Sequence, residues 1–185
     1  MKIKKRWYAL FTVPLMVMFF LIIVIPFITG IGYSFVSWDG LAKSEKVFVG
    51  LNNYKRIFSD TQFLASIVRT TVFTLITVVI VNVLALAFAL LVTTKLKVRN
   101  IARTMLFLPY LIGGLILGYI WQFVFSRVFV SIGESTNWSL FEISWLSEPD
   151  MAFAALVLVT VWQLSGYLML IYIAGLMGVS DDLKE

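Results

Sequence analysis

Residues 70–94 read TTVFTLITVVIVNVLALAFALLVTT, 25 positions without one charged side chain. About 20 apolar helical residues span the hydrocarbon of a bilayer, and a helix apolar on every face has no polar side to show to water. Three more stretches have the same character: residues 7–38, 104–126 and 151–180, of 32, 23 and 30 positions. Together the four occupy 110 of 185 residues, and every Lys, Arg, Asp and Glu lies in the remaining 75. The chain is 61% hydrophobic and 14% charged, with a mean hydropathy of +0.96. A soluble domain is about a quarter charged, so both a soluble globular fold and a disordered chain are excluded. The expectation is an all-α integral membrane protein with four transmembrane helices.

The absent residues narrow the chemistry. There is no His and no Cys, which removes Cys/His zinc sites, Ser-His-Asp triads and catalytic thiols. Neither phosphate-cradling glycine motif occurs, so no nucleotide cofactor is expected, no metal, and no enzyme activity. The net charge of +5 resides beside the apolar runs, where retention on the cytoplasmic side explains it better than nucleic-acid binding. Lys2, Lys4, Lys5 and Arg6 precede the first run; Lys95, Lys97, Arg99 and Arg103 lie between the second and third. The positive-inside rule puts both segments and the C-terminus in the cytoplasm, and the loops 39–69 and 127–150 outside. The first run is too long for a signal peptide and reads as a retained helix over residues 8–33, kinked at Pro14 and Pro26 and packed on a neighbour that satisfies the freed carbonyls. The third run reads as one helix, with Pro109 at a kink or first turn.

The first outer loop is more than a linker. In Phe48-Val49-Gly50-Leu51-Asn52-Asn53-Tyr54-Lys55-Arg56-Ile57-Phe58 an Asn is placed to cap a short interfacial helix whose Tyr54, Ile57 and Phe58 share a face. Asp60 is placed to cap a helix running into the second span. In the other outer loop Trp138, Phe141, Trp145 and Leu146 suit a membrane interface or a partner.

No ionisable side chain falls within the four runs, which argues against a proton- or ion-coupled carrier. The candidates for a polar solute path are uncharged: Gln122 in the third run, and Trp162, Gln163 and Tyr167 in the fourth, with aromatic faces suited to sugar rings. Asn82 is better explained as interhelical hydrogen-bond glue. Gly114-x-x-x-Gly118 and Ala174-x-x-x-Gly178 permit close helix approach.

The order of motifs adds a resemblance. Phe48-x-Gly50-Leu51-x-Asn53-Tyr54 with Phe58-x-Asp60 resembles a signature of sugar ABC-transporter permeases of the maltose and glycerol-phosphate type. So do Arg69-Thr70-Thr71 (Arg where Asn is usual), Arg103 through Pro109, Gly118-x-x-Trp121-x-x-x-Phe125, Trp145-Leu146-x-Glu148-Pro149 (Glu where Asp is usual), Trp162-x-x-x-Gly166-x-x-Met169 and Tyr172-x-Ala174-Gly175-Leu176. The resemblance implies a type I ABC importer permease. Residues 1–68 would hold the tail, first helix and outer loop, and residues 69–185 a permease core that stops as the ATPase-coupling loop begins. On this reading Asp181, Asp182, Leu183, Lys184 and Glu185 start that loop, and the sequence is a fragment of a longer subunit. The implied partners are a second permease, two cytoplasmic ATP-binding subunits and an extracytoplasmic solute-binding protein, with the complex in the bacterial inner membrane. The alternative is a membrane scaffold or assembly protein without a transport path.

Overall fold

A computed structural model describes residues 5–41, 43–94 and 99–178. The chain divides into two compact units, Met1–Ile67 and Val68–Glu185. Among the described residues four helical segments are long and apolar enough to cross a membrane: Trp7–Ser34, Thr61–Thr93, Gly114–Thr136 and Pro149–Met177.

In the first unit, α1 (Lys5–Phe19) passes through a π-helical turn (Phe20–Val24) into α2 (Ile25–Ser34). Pro26, in the first turn of α2, has no amide proton, and the wide turn just ahead of it absorbs the misfit, with Ile25 N–H donating to Phe20 O. Pro14, by contrast, lies inside α1. The outer loop that follows is folded. A short hairpin pairs β1 (Val36–Ser37) with β2 (Val47–Phe48) ahead of α3 (Asn52–Ser59). Tyr33 stacks on Trp38 at 5.3 Å, and Lys46 Nζ lies over both rings at 4.9 and 4.6 Å while donating to Tyr33 Oη. The Ser44 hydroxyl and the Leu41 N–H hold the Asp39 carboxyl below its ordinary pKa. The turn therefore gains stability from this carboxylate above that ordinary value and loses it as pH falls through the lowered folded one.

One cap differs from expectation. No side chain caps α3. Asn53 Nδ2 instead donates to Ser34 O at 2.9 Å and Val36 O at 3.1 Å, satisfying a carbonyl at the end of α2. The cap by Asp60 is as expected: its Oδ1 accepts from Gln62 N and Phe63 N at 2.8 and 3.2 Å, opening α4 (Thr61–Thr93).

In the second unit α4 buries Thr77, Val81, Ala85, Ala89 and Val92, a stripe at nearly constant i, i+4 spacing. Most of these are small, which lets helix backbones approach where no hydrophobic force between helices acts. The third apolar run is not one helix. α5 (Arg99–Leu111) carries Pro109 inside it, Gly113 is extended at φ −60° and ψ 138°, and α6 (Gly114–Phe123) starts afresh. Beyond a π-helical turn at Val124–Val128, α7 (Phe129–Thr136) continues the same rod, so Arg127 and Glu134 ride on a helix rather than in a loop. Charge ends the membrane-compatible stretch without ending the helix. α8 (Pro149–Met177) opens with Pro149 at its first turn and Asp150 beside it.

α5 and α8 touch most closely at Gly166. A Cβ there would fall inside the Leu106 carbonyl group. Next to this contact Ala89, Val92, Met169 and Ile173 form a buried cluster, flanked by Phe88, Ala102, Leu106, Leu170, Tyr172 and Leu176. By contrast, a Cβ at Gly114 or Gly118 would meet nothing within 4 Å. Gly166→Ala in the full subunit is therefore expected to cost about 3 kcal/mol, because rigid backbone must move. Gly118→Ala should stay within about 0.5 kcal/mol. Thermal unfolding in detergent checks both, and equal Tm values for the two variants would refute the packing assignment.

Candidate functional site

The polar and aromatic side chains singled out in the third and fourth runs fall at two levels. At the first, Tyr110 of α5 stacks on Tyr167 of α8, ring centroids 4.4 Å apart and planes 15° from parallel. Tyr110 sits two residues before the break at Ile112 and Gly113. At the second level, Trp121 of α6 meets Trp162 edge-on at 5.4 Å and stacks on Phe125 at 5.1 Å. Trp162 and Tyr167 stay 40% and 37% exposed, leaving ring surface available to a ligand. The Trp121 Nε1 donor is buried with no acceptor among the described residues. Buried polar groups are normally paired, so an orphan indole N–H beside a ring cluster marks a place where a solute hydroxyl could bond.

The four expected path residues do not converge on one spot. Tyr167 and Gln163 share a face of α8 by i, i+4 spacing, while Trp162 lies about 100° round the helix from Gln163. Gln163 is half-buried and Gln122 exposed. Among the described residues no hydrogen bond or ring contact joins any two of the four; each aromatic finds its partner elsewhere, in Tyr110 or Trp121. Those two partners are the residues that sequence reasoning missed, although Trp121 stands in the motif that begins at Gly118 and Tyr110 directly follows Pro109. The coupling residues Asp181, Asp182, Leu183, Lys184 and Glu185 lie outside the described residues.

Asn82 is placed as expected. Its Oδ1 accepts from Tyr172 Oη at 2.7 Å, tying α4 to α8, and its Nδ2 donates to Val78 O within its own helix. The second outer loop is pinned to the membrane helix below it. Asn137, at φ 52°, ends α7. Phe141 then packs on Phe129 at 4.7 Å, and Trp145 stacks on Phe125 at 5.6 Å while its indole donates to Leu140 O. A Cβ at Gly133 would collide with the Phe141–Glu142 backbone. Of the four apolar residues noted in this loop, Phe141 and Trp145 turn inward, and Trp138 and Leu146 stay exposed. Among the described residues no group of His, Cys, Asp and Glu could hold a metal.

No protein-family model matches the chain. Curated relatives do, along nearly all of it. It is 44% identical over 179 residues to a protein of Thermoanaerobacterium thermosulfurigenes named "Probable starch degradation products transport system permease protein", covering 97% of this chain and 60% of the relative. The trehalose/maltose transport system permease protein of Thermococcus litoralis is 29% identical over 181 residues, covering 95% and 60%. The multiple sugar-binding transport system permease protein of Streptococcus mutans is 28% identical over 183, covering 99% and 63%. Among solved structures, a bacterial ABC transporter involved in the import of the acidic polysaccharide alginate superposes with a TM-score of 0.76 at 18% identity, over 97% of this chain and 61% of that one. In sequence the chain is similar to permease proteins named for sugar transport systems, and it shares its fold with a chain of the alginate transporter. It spans about three-fifths of the length of the curated relatives it matches.

The Asn82–Tyr172 bond has a measurable weight. A double-mutant cycle with Asn82→Leu and Tyr172→Phe is expected to give a coupling of about 1 kcal/mol in unfolding free energy. Additive effects would mean that the bond does not join the helices in the membrane.

Proposed function

We propose that the chain belongs to the membrane-spanning subunit of an ATP-driven, binding-protein-dependent sugar importer, where it forms half of the translocation path. The observation that carries this reading is the match along 97% of this chain, at 44% identity, to a permease named for starch degradation products. Supporting it, the four apolar runs 7–38, 70–94, 104–126 and 151–180 hold no charged side chain that could couple an ion gradient. The driving energy then comes from other subunits. In this reading a second permease completes the path, two cytoplasmic ATPases supply the work, and an extracytoplasmic binding protein delivers solute from outside a bacterial plasma membrane.

The ring surfaces of Tyr167 and Trp162, with Gln163 and Gln122 beside them, would line the path. Aromatic faces suit the apolar C–H faces of sugar rings, and amides suit their hydroxyls. The residues Asp181–Glu185 would begin the contact with an ATPase. ATP binding shifts the helices between two arrangements because it stabilises one of them, and the chain itself performs no covalent chemistry.

Residues 1–185 contain no Cys, so any background cysteine to be removed lies elsewhere in the full subunit or in its partners. Gln163→Cys in the full subunit, assembled with its partners, is expected to react with an aqueous thiol reagent at a rate that changes severalfold on ATP binding. A cysteine that resists the reagent in every nucleotide state would favour a scaffold without a path. In cells lacking the native permease, maltodextrin uptake should return with the full-length gene and fall at least tenfold with Tyr167→Ala. Uptake of an amino acid instead would sink the sugar assignment.

A further inference from the structure

Where α4 and α8 enter the apolar region from the same side, a cleft of about 450 Å³ lies between them. Arg69 and Asp150 stand at its rim, and Val72, Phe153 and Leu156 supply most of the apolar wall, with Pro149 at the edge. Phe73 and Phe153, meeting edge-on at 6.2 Å, join the two helices alongside it. Arg69 is the last charge before residues 70–94, and Asp150 the last before residues 151–180. Both charges therefore sit at headgroup level with hydrocarbon-like wall on one side only. Both are exposed, and among the described residues no ion pair joins them. Each has an ordinary explanation by itself: Asp150 favours the positive end of α8, and Arg69 is long enough to reach polar surroundings. Neither explanation accounts for opposite charges in the lining of one apolar cleft.

We propose that this cleft binds a zwitterionic phospholipid of the ethanolamine type. The Arg69 guanidinium donates to the phosphate, the Asp150 carboxylate accepts from the ammonium, and an acyl chain runs along Val72, Phe153 and Leu156. The arrangement of charge selects the headgroup. Phosphatidylglycerol offers a phosphate without a cation, and Asp150 would repel it. Phosphatidylcholine offers a cation with no N–H to donate to a carboxylate. This inference concerns a lipid at the rim of the helices and does not rest on the transport reading.

The test uses the full-length subunit in its membrane complex, reconstituted in nanodiscs of defined phosphatidylethanolamine, phosphatidylglycerol and phosphatidylcholine content, with retained lipids counted by native mass spectrometry. Phosphatidylethanolamine should be retained over the other two. Arg69→Asn is expected to lower its retention about fivefold, the loss of one partly exposed charge-assisted hydrogen bond. The exposed, isosteric change Asp150→Asn should leave phosphate binding in place and abolish the preference for ethanolamine over glycerol headgroups. A photo-crosslinker at Leu156 should capture lipid. Equal retention of all three lipids, retention unchanged by Arg69→Asn, or capture of protein rather than lipid at Leu156 would each overturn the proposal.

Discussion

Leu106 presses its carbonyl into the space that a side chain at Gly166 would occupy, and the arrangement of α5 and α8 follows from that contact. In a bilayer, lipid tails are as apolar as leucine, so two helices gain little by hiding side chains from them. What holds them is the number of atoms brought to van der Waals distance, and a bare Cα brings the most. With α5 set against α8 at Gly166, Tyr110 comes to lie over Tyr167, and Ala102 and Leu106 close the cluster built on Ala89, Val92, Met169 and Ile173. The rings nearest the break in the third run are therefore held by a backbone contact, not by their own stacking.

The same solvent explains why polar groups in these helices are few and placed with care. Most hydroxyls within the spans turn back onto a carbonyl three or four residues earlier, as Thr74 does with Thr70 and Ser126 with Gln122. Asn82 reaches across to Tyr172 instead. The exceptions, Thr77 Oγ1 and Trp121 Nε1, are buried without a partner among the described residues. Such groups are kept few, because each costs desolvation free energy for as long as it stays unpaired.

Much of this architecture is legible in the chain of letters. The apolar runs mark three spans closely, since length and lack of charge are themselves the physical requirement. Asp60 is readable as a cap because its acceptor serves amides two and three residues away. The failures share a cause: the deciding partner is remote. The third run looks uniform, and its break at Gly113 follows from a proline four residues earlier combined with a glycine pair. Asn53 resembles a local cap, yet its amide serves carbonyls 19 and 17 residues back. Gly114 and Gly118 carry a familiar packing pattern, yet among the described residues nothing lies within 4 Å of a Cβ at either, whereas Gly166, with no paired glycine, makes the tightest approach. Glycine spacing reports that a helix can be approached and is silent about what approaches. For the candidate path the letters mark polar and aromatic positions on α8, but the ring partners come from α5 and α6, whose separation was not visible.

The rings from Trp162 and Trp121 through Phe125 and Trp145 to Phe141 and Trp138 are in contact at every step. Flat groups in contact, some stacked and some edge-on, have few internal torsions to absorb a displacement. The second outer loop is in this way joined to the third and fourth spans by a run of rigid rings rather than by flexible chain.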